Sequence, residues 1–295
     1  MLGLKVVAAL AAGVAAAPAL AHSGHEHGSR WSLDPWLLVP LALALLIYGA
    51  GWLRLSRRAS AAPRGVALFV AGWAVLALSL VSPLHDAGER SFTMHMIEHE
   101  LIMLVATLLL AASGSGGVLA WGLPRPLRLA LGGSWTAPLK TVWAKLTEPV
   151  TATVVQAVVM WAWHAPLLFD AALENSGLHI VQHACFFLSA LLFWWAMLHP
   201  RGGRSGYGVS AACLFATSLV GGALGALMSL SQSPWYSDYA AMGMSGIGLD
   251  PVTDQQLAGL LMWIPGGLVH GAAALVLFYK WLKAAEADHA AVSAH

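Results

Sequence analysis

Long apolar stretches separated by short polar segments fill the chain from residue 35 onwards. Seven of them reach the roughly 20 residues that a helix needs to cross about 30 Å of hydrocarbon. They run approximately over residues 35–53, 65–84, 92–112, 150–169, 178–198, 209–230 and 256–282. A further apolar piece at 116–123 is too short to span, and we expect it at the membrane interface. This pattern predicts an all-α, polytopic transmembrane bundle of about seven spans, with no second domain.

The distribution of Lys and Arg assigns the two sides of the membrane. The loops after the first, third and fifth spans and the C-terminal tail are basic, whereas the alternate loops contain only Arg90. Because cytoplasmic loops carry an excess of Lys and Arg, the basic segments are predicted to be cytoplasmic. The mature N-terminus is then outside and the C-terminus inside a bacterial inner membrane.

The first residues have the layout of a secretory signal peptide. Lys5 is followed by an apolar stretch at 6–17 and by Ala19-Leu20-Ala21, which resembles a cleavage site. We therefore divide the chain into a signal peptide (1–21), a histidine-rich outer segment (22–34), a seven-span domain (35–283) and a cytoplasmic tail (284–295).

Composition narrows the class of partner. The chain is 58% hydrophobic and 10% charged, whereas a soluble domain carries about a quarter charged residues. With a net charge of +1 and no basic tract, the sequence indicates the lipid bilayer as a partner and excludes nucleic acid. Cys185 and Cys213 lie inside apolar stretches, so we interpret them as packing residues rather than a disulfide.

Histidines recur at helical spacing near the outer ends of three predicted spans. His95 and His99 are four residues apart, as are His179 and His183, so each pair shares one face of its helix. His164, near the end of the fourth span, lies at a similar depth. Ionisable residues within spans are costly and face the bundle interior, so these five histidines are candidate metal ligands.

The two outward hairpins that carry the pairs resemble each other. An aspartate, Asp86 or Asp170, precedes the first histidine of each pair by nine residues, and Glu98 and Gln182 occupy equivalent positions. Both hairpins run in the same direction, which is typical of a parallel repeat about an axis along the membrane normal.

The ligand types favour copper. Imidazole suits copper, zinc, iron and nickel, and thioethers shift the preference towards Cu(I). Met94, Met96 and Met103 lie on the same helix as the first histidine pair. Glu98 and Gln182 are candidates to orient the imidazoles by hydrogen bonding.

Three alternatives use the same residues. Histidines on two facing helices could ligate a b-type haem, which would make the protein a membrane electron carrier. The sequence His95-x-x-Glu98-His99 also matches an inverted zinc-protease signature, although the second hairpin has Gln182 where the general base would be. A metal permease would need polar or soft ligands deeper in the spans, and there the sequence offers little besides His270.

Two deeper features have packing interpretations. His270 lies about 24 Å below the outer end of its span, and we expect it to satisfy backbone groups near Pro265. Gly221, Gly222 and Gly225 in the sixth span predict a close approach of another helix.

Four ordered motifs resemble a known family. They are MHMIEH at 94–99, WHAPLLFD at 163–170, HIVQH at 179–183 with the aromatic run 193–195, and DQQLAG at 254–259 with WIPGG at 263–267. Together they resemble the multi-span CtaG family of cytochrome c oxidase assembly factors, over roughly residues 84–282.

The resemblance implies a helper for making active haem–copper oxidase, with a proposed link to copper and with no substrate turned over. Its partners would be oxidase subunits or other assembly factors. The functional positions that it implies are His95, His99, His164, His179, His183 and Asp254. Glu98 departs from the pattern, in which glutamine is expected more often, and its charge would alter the metal preference.

Overall fold

A computed structural model describes residues 31–56, 63–132 and 136–293. The described residues form helices and turns, with no strand among them, which confirms the all-α class. The predicted signal peptide and most of the 22–34 segment lie outside the described residues.

The helices follow the apolar pattern. Six of the described helical segments are long and apolar enough to cross a membrane, and a bent pair makes a seventh. In chain order the elements are α1 (Pro35–Ser56), α2 (Pro63–Val81), α3 (Pro83–Gly88), α4 (Phe92–Glu100), a π-helical segment (Leu101–Ala106), α5 (Thr107–Ala112), α6 (Gly116–Gly122), α7 (Arg125–Gly132), α8 (Ala137–Leu146), α9 (Pro149–Trp163), α10 (Pro166–Glu174), α11 (Ser176–Leu198), α12 (Arg204–Leu230), α13 (Ser237–Ala241) and α14 (Pro251–Ser293).

The fourth span is broken rather than straight. Residues 150–169 were predicted as one helix, but α9 ends at Trp163 and α10 begins at Pro166, with a bend of 68° between them. A proline disfavours helical geometry in the residue before it and is well tolerated at the first helical position. His164 therefore lies at the corner of the bend.

The second span also ends earlier than predicted. Helix α2 stops at Val81, and the short helix α3 starts at Pro83, where the Ser82 hydroxyl accepts a hydrogen bond from Leu84 N at 3.3 Å. This break turns His85 back towards the bundle.

The third span contains one π-helical segment directly after the first histidine pair. The Met103 carbonyl there accepts hydrogen bonds from Trp194 Nε1 at 3.0 Å and from Thr107 Oγ1 at 2.6 Å. π segments in α-helices often occur at functional sites, and this one links α4 to the indole of α11.

Helices α12 and α14 approach closely through glycines, as predicted for the sixth span. A methyl group on Gly225 would lie 2.7 Å from the Gly259 carbonyl oxygen, and one on Gly222 would lie 3.1 Å from the Trp263 ring. The short apolar piece forms α6 and packs against α1, where Arg54 donates to the Gly122 carbonyl at 3.0 Å.

Candidate metal centre

The two histidine pairs face each other between α4 and α11. Ring centroids are 4.3 Å apart for His95 and His99, 4.4 Å for His179 and His183, and 5.3 Å for His95 and His179. The His99 and His183 rings are 5.0 Å apart. The packing of the third span on α11, through the π segment and α5, therefore brings together the four histidines that the sequence placed on separate helices.

Three of these imidazoles form the tightest ligand set. One ring nitrogen from each of His95, His179 and His183 lies within 4.8 Å of the other two. Their Nε2 atoms are buried and have no hydrogen-bond partner among the described residues. Metal–nitrogen bonds of about 2.0–2.1 Å place ligand nitrogens about 3.3–3.6 Å apart. The three side chains are therefore candidates to hold a single ion.

His99 and His164 lie beside this set rather than within it. Both nitrogens of His99 are buried without a partner among the described residues. The His164 ring is 6.3 Å from that of His99, and its Nδ1–H donates to the Met160 carbonyl at 2.7 Å. This bond leaves His164 Nε2 unprotonated and available to accept a hydrogen bond or to bind a metal.

His85 is a member of the site that the sequence reasoning missed. Its Nδ1–H donates to Glu98 Oε1 at 2.8 Å, and its ring stacks on His179 at 5.4 Å. With Glu98 and His183 it forms a second possible ligand set, which shares His183 with the first. Burial lowers the pKa of His85, but its hydrogen bond and charge interaction with Glu98 outweigh this, so the pKa is raised.

A signal for His85 existed in the repeat. When the two hairpins are aligned on Asp86 and Asp170, His85 corresponds to Phe169. Phe169 packs against His95 at 5.2 Å, much as His85 packs against His179 at 5.4 Å. Each hairpin thus places one ring against the first histidine of the other. We call His85, His95, His99, His164, His179 and His183 the histidine centre.

The other predicted supporting residues take different positions. Asp254 fixes the start of α4 by accepting from Phe92 N at 2.8 Å and Thr93 N at 3.2 Å. It acts at a distance from the imidazoles, as a cap. Gln182 is buried with neither amide atom partnered among the described residues.

The two methionines beside the first pair are placed differently. Met96 packs in the hydrophobic cluster that contains Phe92 and Phe169, and Met94 is half-buried. The burial of Met96 is therefore explained by packing, and its position adds no argument for a thioether at the histidine centre.

The 231–250 segment covers the histidine centre with two tyrosines that the sequence reasoning also missed. Tyr239 Oη donates to the Gly88 carbonyl at 2.7 Å and accepts from His95 Nδ1 at 3.1 Å. Tyr236 Oη donates to the His164 carbonyl at 3.0 Å. On the opposite side Phe186, one turn beyond His183, packs against His99 at 4.7 Å. The centre is therefore enclosed from both ends.

Comparisons with known proteins are informative at this point. A family model described as cytochrome c oxidase caa3 assembly factor matches residues 46–284. An uncharacterized protein of Mycobacterium bovis is 25% identical over 242 residues, which is 79% of this chain and 36% of that protein. One of Mycobacterium leprae is 25% identical over 267 residues, which is 86% of this chain and 40% of that protein. This chain thus spans about two fifths or less of these curated relatives, and no solved structure matches it.

Proposed function

The chain belongs to the cytochrome c oxidase caa3 assembly factor family, and we propose that it helps to assemble a haem–copper oxidase by holding a copper ion in the histidine centre. The partners in this proposal are oxidase subunits or other assembly factors, and no substrate is turned over. The protein would lie in the bacterial inner membrane with the histidine centre near the outer face.

One observation carries the proposal. The Nε2 atoms of His95, His179 and His183 are buried together without hydrogen-bond partners among the described residues. A buried polar atom without a partner costs about 1–3 kcal/mol, so three in one place would be a large penalty for packing alone. A bound cation would satisfy all three.

We infer copper because it fits both the ligands and the oxidase that the family helps to assemble. Imidazole nitrogen is a common ligand of copper, iron, zinc and nickel. Of these, copper and iron are the metals of a haem–copper oxidase. Glu98, whose Oε1 lies 3.8 Å from His183 Nε2, adds a negative charge that favours a bound cation.

The packing of the rings favours an ion over haem. The His95 and His183 rings are 6.0 Å apart, but the His99 and His179 rings lie directly beside them, where a porphyrin would have to extend. Haem ligation by α4 and α11 would require these two helices to separate.

Copper binding tests the centre directly. Purified protein loaded with Cu(I) should bind copper through nitrogen ligands, and His95→Ala/His183→Ala should lose that copper. His199→Ala, an exposed histidine at the end of α11, is the matched control and should bind as the wild type does. Unchanged binding in the double variant would reject the centre. A Soret band in the wild type that His183→Ala removes would instead show that the centre binds haem and not copper.

Oxidase maturation tests the cellular role. Deleting the gene should lower oxidase activity and the copper content of the purified oxidase, and the wild-type gene should restore both. The His95→Ala/His183→Ala variant should restore neither, although immunoblots detect it in the membrane at a normal level. Full oxidase activity in the deletion strain would refute the assembly role.

A further inference from the structure

A small cavity with a few polar side chains lies inside the bundle, one helical turn beyond the histidine centre. Its volume is about 40 Å³, and α4, the π segment, α9, α11, α12 and α14 contribute to its walls. The sequence predicted few polar or soft ligands at this depth besides His270. The cavity is nevertheless lined by Glu100, Gln156 and His270 and by the three methionines Met103, Met160 and Met262.

Glu100 places an acidic group in this cavity. Its Oε2 atom is buried and has no hydrogen-bond partner among the described residues. No Lys or Arg is among the lining residues of the cavity. An ionised carboxylate inside a bundle is costly unless a cation accompanies it, so Glu100 would carry its charge only with a cation in the cavity.

His270 is oriented towards the same region. Its Nδ1–H donates to the Gly266 carbonyl at 2.8 Å, which bears out the expected backbone role and leaves Nε2 as an electron-pair donor. Its ring stacks on Trp194 with centroids 5.3 Å apart. A methyl group on Gly266 would lie 3.7 Å from Glu100 Oε2, so the carboxylate and the imidazole approach the same turn of α14.

The methionines come from three separate elements. Met103 lies in the π segment, Met160 in α9 and Met262 in α14, and all three are buried. Met160 and Met262 share a hydrophobic cluster with Met96, but unlike Met96 they also line the cavity. The Met160 sulfur lies 3.8 Å from where a methyl group on Gly221, another lining residue, would be. Three thioethers, an imidazole and a carboxylate thus line one cavity, and thioether donors favour Cu(I).

We infer that this cavity is a second metal site, specific for Cu(I), with ligands drawn from the three thioethers, His270 and Glu100. One carboxylate balances the single charge of Cu(I), which makes the loaded cavity neutral. The site rests on residues different from those of the histidine centre, and the proposed function supplies only the source of the metal. The two sites are neighbours, because Met103 is one turn, about 6 Å, beyond His99.

X-ray absorption at the copper edge on Cu(I)-loaded protein separates the two sites by ligand type. The wild type should show nitrogen and sulfur scatterers and two copper ions per chain. Met103→Leu/Met160→Leu/Met262→Leu, which conserves volume, should lose the sulfur shell and one copper ion. Met197→Leu, a buried methionine in a different hydrophobic cluster, is the control and should retain both.

Two further variants keep the outcomes distinct. His95→Ala/His183→Ala should lose one copper ion and retain the sulfur-ligated one. If this variant kept both ions, that result would overturn the proposed function and leave the second site standing. Glu100→Gln, which keeps the shape of the side chain, should weaken Cu(I) binding at the sulfur site by about tenfold or more. A wild type without sulfur scatterers, or a methionine variant that keeps them, overturns the second site.

Discussion

The tautomer of His95 is set by one phenol. Because Tyr239 Oη already donates to the Gly88 carbonyl, its oxygen can only accept from His95 Nδ1–H. The Nε2 atom of His95 is then the one that faces His179 and His183 with an electron pair available. Such hydrogen bonds from outside the ligand set fix ring orientation and raise ligand basicity.

We predict that Tyr239→Phe weakens copper binding at the histidine centre by about 10- to 100-fold, because the His95 ring loses its orienting partner. Competition titration against a Cu(I) chelator measures this change. Tyr236→Phe is the matched control, since its hydroxyl also donates to a buried carbonyl but contacts no imidazole. Equal losses in the two variants would mean that the effect is general destabilisation.

At the scale of elements, the prolines that break helices determine where two of the histidines lie. The sequence alone did not show which prolines would break a helix. Pro40 and Pro265 lie within continuous helices, whereas Pro83 and Pro166 each start a new helix after a break. Neighbouring helices can satisfy the backbone groups that a proline frees in a span. Whether a span breaks therefore depends on tertiary packing, and the positions of His85 and His164 depended on it.

The contact between α12 and α14 makes a stability prediction. A methyl group on Gly259 would lie 2.5 Å from the Gly225 carbonyl oxygen and 2.6 Å from Ser229 Oγ. The facing backbone would have to move to relieve these contacts, so Gly259→Ala should destabilise the protein by about 1–3 kcal/mol. Thermal unfolding in detergent measures it. Gly271→Ala on the same helix, with nothing within 4 Å, should be neutral or slightly stabilising, and a similar loss there would contradict the packing argument.

For the whole molecule, the membrane spans and the faces of single helices could be predicted from the sequence. Features that depend on packing between distant helices could not. Seven spans could be located because a chain in hydrocarbon must satisfy its backbone internally over a fixed thickness. The pairs His95/His99 and His179/His183 could be matched because helical spacing fixes their faces. Glu100 adjoins these motifs in the sequence, but its cavity forms only where five other elements meet.

The sidedness of the molecule is the remaining prediction, and the proposed supply of copper from outside the cell membrane depends on it. In a Cys185→Ala/Cys213→Ala background, Met244→Cys places a thiol at an exposed position of the 231–250 segment. Ser205→Cys places one at the opposite end of α12. A membrane-impermeant maleimide applied to intact spheroplasts should label the first and should label the second only after permeabilisation, because basic loops stay in the cytoplasm. The reverse pattern would put the tyrosines that cover the histidine centre on the cytoplasmic side, so copper would have to arrive from the cytosol.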